Sequence, residues 1–165
     1  MEPQALVTHF LESHDIPFSL REHAPVHTME DCAALGLPAP HCKNLLLCNR
    51  AGTQYTLLLL PADKPFQTKV ASKVMGCSRL SFAGEEALWR LMRVRPGAVS
   101  PMGLIFPEAS AVRLACDRDL LALPSIAFHP LVNTASLWMR GEDFFGRFLP
   151  AAGIEPLFIE LPCAL

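Results

Sequence analysis

The sequence predicts an α+β fold, a mixed β-sheet with helices packed on it. Three observations predict this. Hydrophobic residues make up 51% of the 165 positions, the composition of a globular chain. Strand-like apolar runs bounded by Gly, Pro and Asn are interspersed with segments at helical spacing. The run Leu57-Leu58-Leu59-Leu60 has no polar face, which marks a central strand covered on both sides.

The elements follow in order. Ala5, Leu6, Phe10 and Leu11 give a helix over 4–13. Ile16 to Arg21 reads as a short strand. Thr28 is placed to cap a second helix, with Glu30 and Asp31 in its first turn and Gly36 just past its end. Lys43 to Cys48 and Gln54 to Leu60 form a hairpin around the turn Asn49-Arg50-Ala51-Gly52. A helix over 66–75 ends at Gly76, Leu80 to Phe82 is a strand, and Glu85 to Met92 is a helix. Arg95 to Phe106, rich in Pro and Gly, is expected to cross the sheet as a strand broken by turns. Val112 to Cys116, Ser125 to Phe128 and Ala135 to Met139 are strands. Glu142 to Leu149 is a helix, and Leu157 to Leu161 is a closing strand. No repeat, low-complexity tract or linker divides the chain, so residues 1–165 are expected to form one domain.

Composition narrows the function classes. The longest leucine run is far too short to span a bilayer. Met1-Glu2-Pro3-Gln4 shows no basic region leading into an apolar one, so a cytoplasmic location is expected, without a membrane. The six cysteines have no CxxC spacing and read as small core residues of a reducing compartment. His23 and His27 are separated by Pro25, which spoils a helical ligand pair, so neither a metal nor another cofactor is expected. The net charge of −2 is uneven: residues 43–95 carry nine Lys/Arg and three Asp/Glu, while the rest of the chain is acidic. That asymmetry fits a polyanionic partner approaching one side, or equally a fold that intermixes the charges in space.

Three polar clusters stand out. His41-Cys42-Lys43-Asn44 opens an apolar strand. An unpaired Lys there requires a partner or an anionic ligand, or else it snorkels to a sheet edge. In Pro96-Gly97-Ala98-Val99-Ser100-Pro101-Met102-Gly103, the glycines let a ligand approach bare backbone N–H groups; an ordinary crossover would read the same way. Phe128-His129-Pro130-Leu131-Val132-Asn133-Thr134 gathers polar groups near one sheet end, where pockets form. Neither a Ser-His-Asp nor a Cys-His pattern is recognisable locally. Cys42, beside Lys43, is the nearest thiol candidate, but neighbouring strand residues face opposite ways.

Taken together these clusters resemble the YbaK/prolyl-tRNA synthetase-associated editing domain family. The resemblance runs from about Phe10 to Leu161, through His23-Ala24-Pro25-Val26-His27-Thr28, Lys43-Asn44-Leu45-Leu46-Leu47, Leu80-Ser81-Phe82-Ala83, Pro96 to Pro101 and Phe128 to Ala135. It is nearest in flavour to the alanyl-specific prolyl-tRNA deacylase branch. The resemblance implies a mixed, mostly antiparallel sheet or partial barrel surrounded by helices. It implies hydrolysis of Ala-tRNA(Pro), with Cys-tRNA(Pro) or another small mischarge, or a tRNA- or synthetase-binding module without catalysis, as alternatives. Lys43, Gly97 and His129 would be the catalytic set. Asn44, Ala98, Val99, Ser100, Pro101 and Asn133 would shape the aminoacyl pocket. Water would be activated with help from the terminal 2′-hydroxyl of the tRNA itself. The partners would be mischarged tRNA(Pro) and prolyl-tRNA synthetase. Lys64, Lys69, Lys73 and Arg79, in the basic stretch, are the expected tRNA contacts.

Overall fold

The computed structural model describes residues 1–164. Helix α1 (Pro3–Ser13) starts with Pro3 at a position where a missing N–H costs nothing, and buries Val7 and Leu11, four apart on one face. Strand β1 (Ser19–Glu22) begins later than expected, because Ile16 turns into the core and Pro17 has no N–H for a ladder. Helix α2 (Met29–Ala34) carries the expected cap as a full capping box. The Thr28 hydroxyl accepts from the Asp31 N–H, and the Asp31 carboxylate accepts from the Thr28 N–H. The chain leaves α2 through Gly36 in the left-handed region, at φ 64°.

Strands β2 (Cys42–Cys48) and β3 (Tyr55–Pro61) form the expected hairpin, with Lys43 opposite Leu60 and Asn44 opposite Leu59. Asn49 closes the turn by accepting from the N–H groups of Thr53 at 2.8 Å and Gln54 at 3.0 Å. Then come α3 (Thr68–Val74), β4 (Ser81–Phe82), α4 (Glu85–Met92), β5 (Val112–Asp117), β6 (Ser125–Phe128), β7 (Ala135–Arg140) and β8 (Leu157–Ile159). The helix expected over 142–149 lies within three consecutive segments, α over Gly141–Asp143, π over Phe144–Phe148 and α over Leu149–Ala151.

The strands make two sheets, ordered β4-β2-β3-β5-β8 and β1-β7-β6. The pairs β3–β5 and β5–β8 are parallel; the others are antiparallel, as a mixed, mostly antiparallel fold requires. Among the described residues the sheets meet at one parallel bridge, between His41 and Ala127, where the Ala127 N–H donates to the Pro40 carbonyl at 2.8 Å. Strand β3 lies centrally, and Leu57 to Leu60 are all fully buried. Leu57 and Leu59 face the larger core with α1 and α4, whereas Leu58 and Leu60 face a smaller one with Ala71 and Leu80. Each contributes about 1.5–3 kcal/mol relative to exposure. Among the described residues no helix is long and apolar enough to cross a membrane.

One element departs from expectation in kind. Arg95 to Phe106 is not a broken strand. It is a turn at Gly97 followed by a 3₁₀ helix over Pro101–Ile105. The Ser100 hydroxyl accepts from the Met102 N–H at 3.1 Å, and Pro101 supplies a preset first helical φ. These local bonds outcompete a sheet ladder. Gly103 then packs so closely on α4 that a Cβ there would lie 2.9 Å from that of Met92.

Candidate active site

A pocket of about 360 Å³ opens where the two sheets meet. That is room for a small ligand or one end of a larger one. Its walls come from four places: the α2 approach (Val26 to Met29, and Cys32), the start of β2 (His41 to Leu45), the Gly97 turn (Gly97 and Val99), and His129 beyond the end of β6.

Lys43 is half-buried, with its stem along the pocket wall. Its ammonium donates to the backbone carbonyl of Lys64. That bond neutralises no charge, and among the described residues Lys43 forms no ion pair. A cation held at a pocket wall without a carboxylate is poised for an anionic ligand. Asn44 folds back, its amide donating to the Cys42 carbonyl at 2.9 Å.

Gly97 holds φ 89°, a conformation that side chains resist, with open space where a Cβ would be. The residue is thus required for its backbone and not for close packing. Val99 is half-buried and completes this wall.

His129 is 8% exposed. Its Nδ1 lies 3.1 Å from the Ala135 carbonyl, which can only accept, so Nδ1 carries the proton and Nε2 presents a lone pair. Burial lowers its pKa and favours this neutral form. The turn behind it is strained: Leu131 sits at φ 66° and stays there because its side chain is buried.

The sequence-predicted residues divide. Lys43, Asn44, Gly97, Val99 and His129 converge on the pocket. Ala98, Ser100, Pro101 and Asn133 do not line it. Ala98 is core, Ser100 and Pro101 are buried in the 3₁₀ helix cap, and Asn133 donates to the Val26 carbonyl at 3.1 Å, holding the 23–28 wall in place. Their contribution is to fix the walls. Cys42 is buried with its thiol pushed up to about 12 by desolvation, the opposite of what a nucleophile needs.

The four expected tRNA contacts also divide. Lys69, Lys73 and Arg79 are exposed and form no ion pair among the described residues. Lys64 is a correction. It is 4% exposed, and its ammonium lies 2.9 Å from Asp117 Oδ2, 3.0 Å from Asp119 Oδ2 and 2.8 Å from the Leu161 carbonyl. Burial alone would lower its pKa, but hydrogen bonds to Asp117 and Asp119 outweigh that and raise it. The basic count of the 43–95 stretch concealed a lysine whose charge is already matched by acids from β5 and the turn after it.

Sequence reasoning passed over Cys32 and Ser136, gave His41 no role although it opens the first polar cluster, and set His23 aside as a metal ligand because of Pro25. The Ser136 hydroxyl lies 2.8 Å from His23 Nε2 and 3.0 Å from His41 Nε2, and Cys32 Sγ lies 3.9 Å from His129 Nε2. No local spacing links these residues; only the meeting of the two sheets does. Burial pushes His41 down to about 4, with repulsion from His129 and His23 adding to it, so the ring is neutral.

Comparison with known proteins extends the picture. A family model described as an aminoacyl-tRNA editing domain matches residues 23–146. The prolyl-tRNA editing protein ProX of Acetoanaerobium sticklandii is 30% identical over 145 residues, covering 87% of this chain and 88% of that protein. Prolyl-tRNA synthetase associated domain-containing protein 1 of Mus musculus is 28% identical, covering 84% of this chain and 85% of its own. A proline–tRNA ligase of Methylobacillus flagellatus matches 80% of this chain at 29% identity but only 22% of its own length. A crystal structure described as a candidate trans-editing enzyme for prolyl-tRNA synthetase shares the fold, with a TM-score of 0.71 over 98% of this chain and 99% of that one at 19% identity.

Proposed function

The chain belongs to the aminoacyl-tRNA editing domain family, and from that premise we propose that it is a trans-editing deacylase of mischarged tRNA(Pro), with Ala-tRNA(Pro) as substrate. The observation that carries this reading is the pocket itself. Lys43, a cation with no ion pair among the described residues, shares the pocket lining with the bare backbone of Gly97, with Val99 and with His129.

The division of labour follows from those positions. Lys43 binds a phosphate or hydroxyl of the terminal adenosine, leaving the Lys64 carbonyl for a stronger, charge-assisted partner. The aminoacyl group enters between Val99 and His129. The Gly97 N–H stabilises the oxyanion that develops when water attacks the ester carbon. His129 is neutral and fixed by Ala135, so it orients and shapes. The attacking water gains its base from the terminal 2′-hydroxyl of the substrate. An aminoacyl ester is an activated acyl group, and positioning supplies much of the acceleration.

Selectivity follows from size. The pocket lining contains no carboxylate to read the amino group. A site built for proline rejects smaller alanine weakly, since each missing methylene is worth only about 1–3 kcal/mol. A second pocket that admits alanine and excludes proline restores accuracy. A panel of tRNAs charged with Ala, Cys, Ser and Pro tests the reading. Release of alanine from Ala-tRNA(Pro) well above the buffer rate is expected. Absence of release from every member would reduce the chain to a binding module.

A further inference from the structure

Cys32, His41 and His129 come from α2, from the residue before β2 and from the residue after β6, and meet in the pocket lining. One donor atom of each lies within 4.8 Å of the other two. None of the three is more than 9% exposed. We propose that these residues form a Cys-His-His site for a thiophilic divalent cation of the zinc class, set in the wall of the aminoacyl pocket.

The hydrogen bonds around the cluster fix where the lone pairs point. His129 Nδ1–H donates to the Ala135 carbonyl, leaving Nε2 free at 3.9 Å from Cys32 Sγ. His23 Nδ1 lies 2.8 Å from the Ala24 carbonyl and must donate to it; with the proton on Nδ1, Nε2 accepts from the Ser136 hydroxyl at 2.8 Å. That hydroxyl has one proton, so its oxygen accepts from His41 Nε2–H at 3.0 Å. His41 Nδ1 is then the free lone pair. Each imidazole ligand therefore has its second nitrogen anchored, one by a carbonyl and one by a serine. Metal-binding histidines are oriented by outer partners of this kind.

Distances agree. With metal–sulfur bonds of about 2.3 Å and metal–nitrogen bonds of about 2.0 Å, sulfur and nitrogen ligands at tetrahedral angles stand roughly 3.5 Å apart. The Cys32–His129 pair, at 3.9 Å, closes by a few tenths of an ångström, and the other two separations, each within 4.8 Å, close by no more than about 1.5 Å. One sulfur and two imidazoles suit zinc and cobalt and disfavour magnesium and calcium. Three protein donors leave a fourth position for water or a ligand, the pattern of reactive and not of purely structural sites. On coordination the Cys32 S–H bond breaks, the sulfur keeps the electron pair and the proton passes to solvent, so binding releases one proton per ion. The site shares His129 with the deacylase reading, but its readout is spectroscopic, so the two can fail separately.

The test is anaerobic titration of the full chain with cobalt(II) chloride. One equivalent is expected to give the visible bands of a tetrahedral ion and a near-ultraviolet thiolate-to-metal band, both removed by zinc chloride. C32S should lose the thiolate band, and H41Q should weaken binding by at least about tenfold. C32S is nearly isosteric, and its thermal unfolding checks that the fold survives. No thiolate band at one equivalent, or a band unchanged in folded C32S, overturns the site. The second result would place the ion at another cysteine.

Discussion

The Lys43 ammonium donates to the backbone carbonyl of Lys64, whose own ammonium is buried on Asp117. Two lysines of one basic stretch therefore have opposite roles. One faces the pocket with its charge unmatched; the other pins the segment after β3, and with it the carbonyl that holds the first.

Lys43→Ala is expected to lower deacylation at least about a hundredfold, the scale of losing one group that stabilises transition-state charge. The fold should persist, because the side chain is half-buried and its ammonium bonds only a backbone carbonyl among the described residues, that of Lys64, which keeps its own buried ion pair. Single-turnover release of alanine, with circular dichroism alongside, checks both. A folded variant with wild-type activity would remove Lys43 from the mechanism.

Lys64→Ala should instead unfold more easily. It strands Asp117, which is fully buried and, among the described residues, otherwise bonded only to the N–H groups of Asp119 and Leu161. Removing one partner of a buried pair costs about 3–5 kcal/mol. Denaturant unfolding measures it. A loss under about 1 kcal/mol, the scale of an exposed pair, would mean that the pair is solvated.

Neutralising Lys69, Lys73 and Arg79 together should weaken tRNA binding and flatten its salt dependence. For every phosphate that the variant no longer neutralises, the slope of log K against log salt becomes shallower by about 0.7–0.9. The three side chains are exposed and free of ion pairs among the described residues, so stability should change little. An unchanged slope would move the tRNA to another face.

Gly97→Ala isolates a backbone effect. Apart from its chain neighbours, no atom of the described residues lies within 4 Å of the added methyl, so any loss comes from φ 89°. A destabilisation of about 1 kcal/mol is expected, with a larger fall in kcat as the turn relaxes away from the ester. Thermal unfolding and single-turnover rates separate the two. Full activity would show that the Gly97 N–H direction does not matter.

Much of the fold was legible because its signals are local. The Thr28 cap, the Asn49 turn, the Leu57–Leu60 strand and helix α4 are each specified by residues within a few positions. The segment Arg95–Phe106 misled, because glycine and proline mark an interruption without saying which local bonds replace the ladder; Ser100 decided that. The site was half legible. Lys43, Gly97 and His129 each sit in a distinctive run. Ser100, Pro101 and Asn133 sit in the same runs but serve the walls. The fate of Lys64 depends on Asp117, fifty-three residues away. The Cys32, His41 and His129 cluster depends on how two sheets join, and sequence spacing carries no trace of that.

The central claim is that this pocket hydrolyses Ala-tRNA(Pro) and spares Pro-tRNA(Pro) by size. The most direct measurement is the ratio of the two single-turnover rates, in wild type and in His129→Ala. A ratio strongly favouring alanine is expected in wild type, and a smaller one in the variant, whose widened pocket admits proline. Equal rates in wild type, or a ratio unmoved by the substitution in a folded protein, would contradict the account.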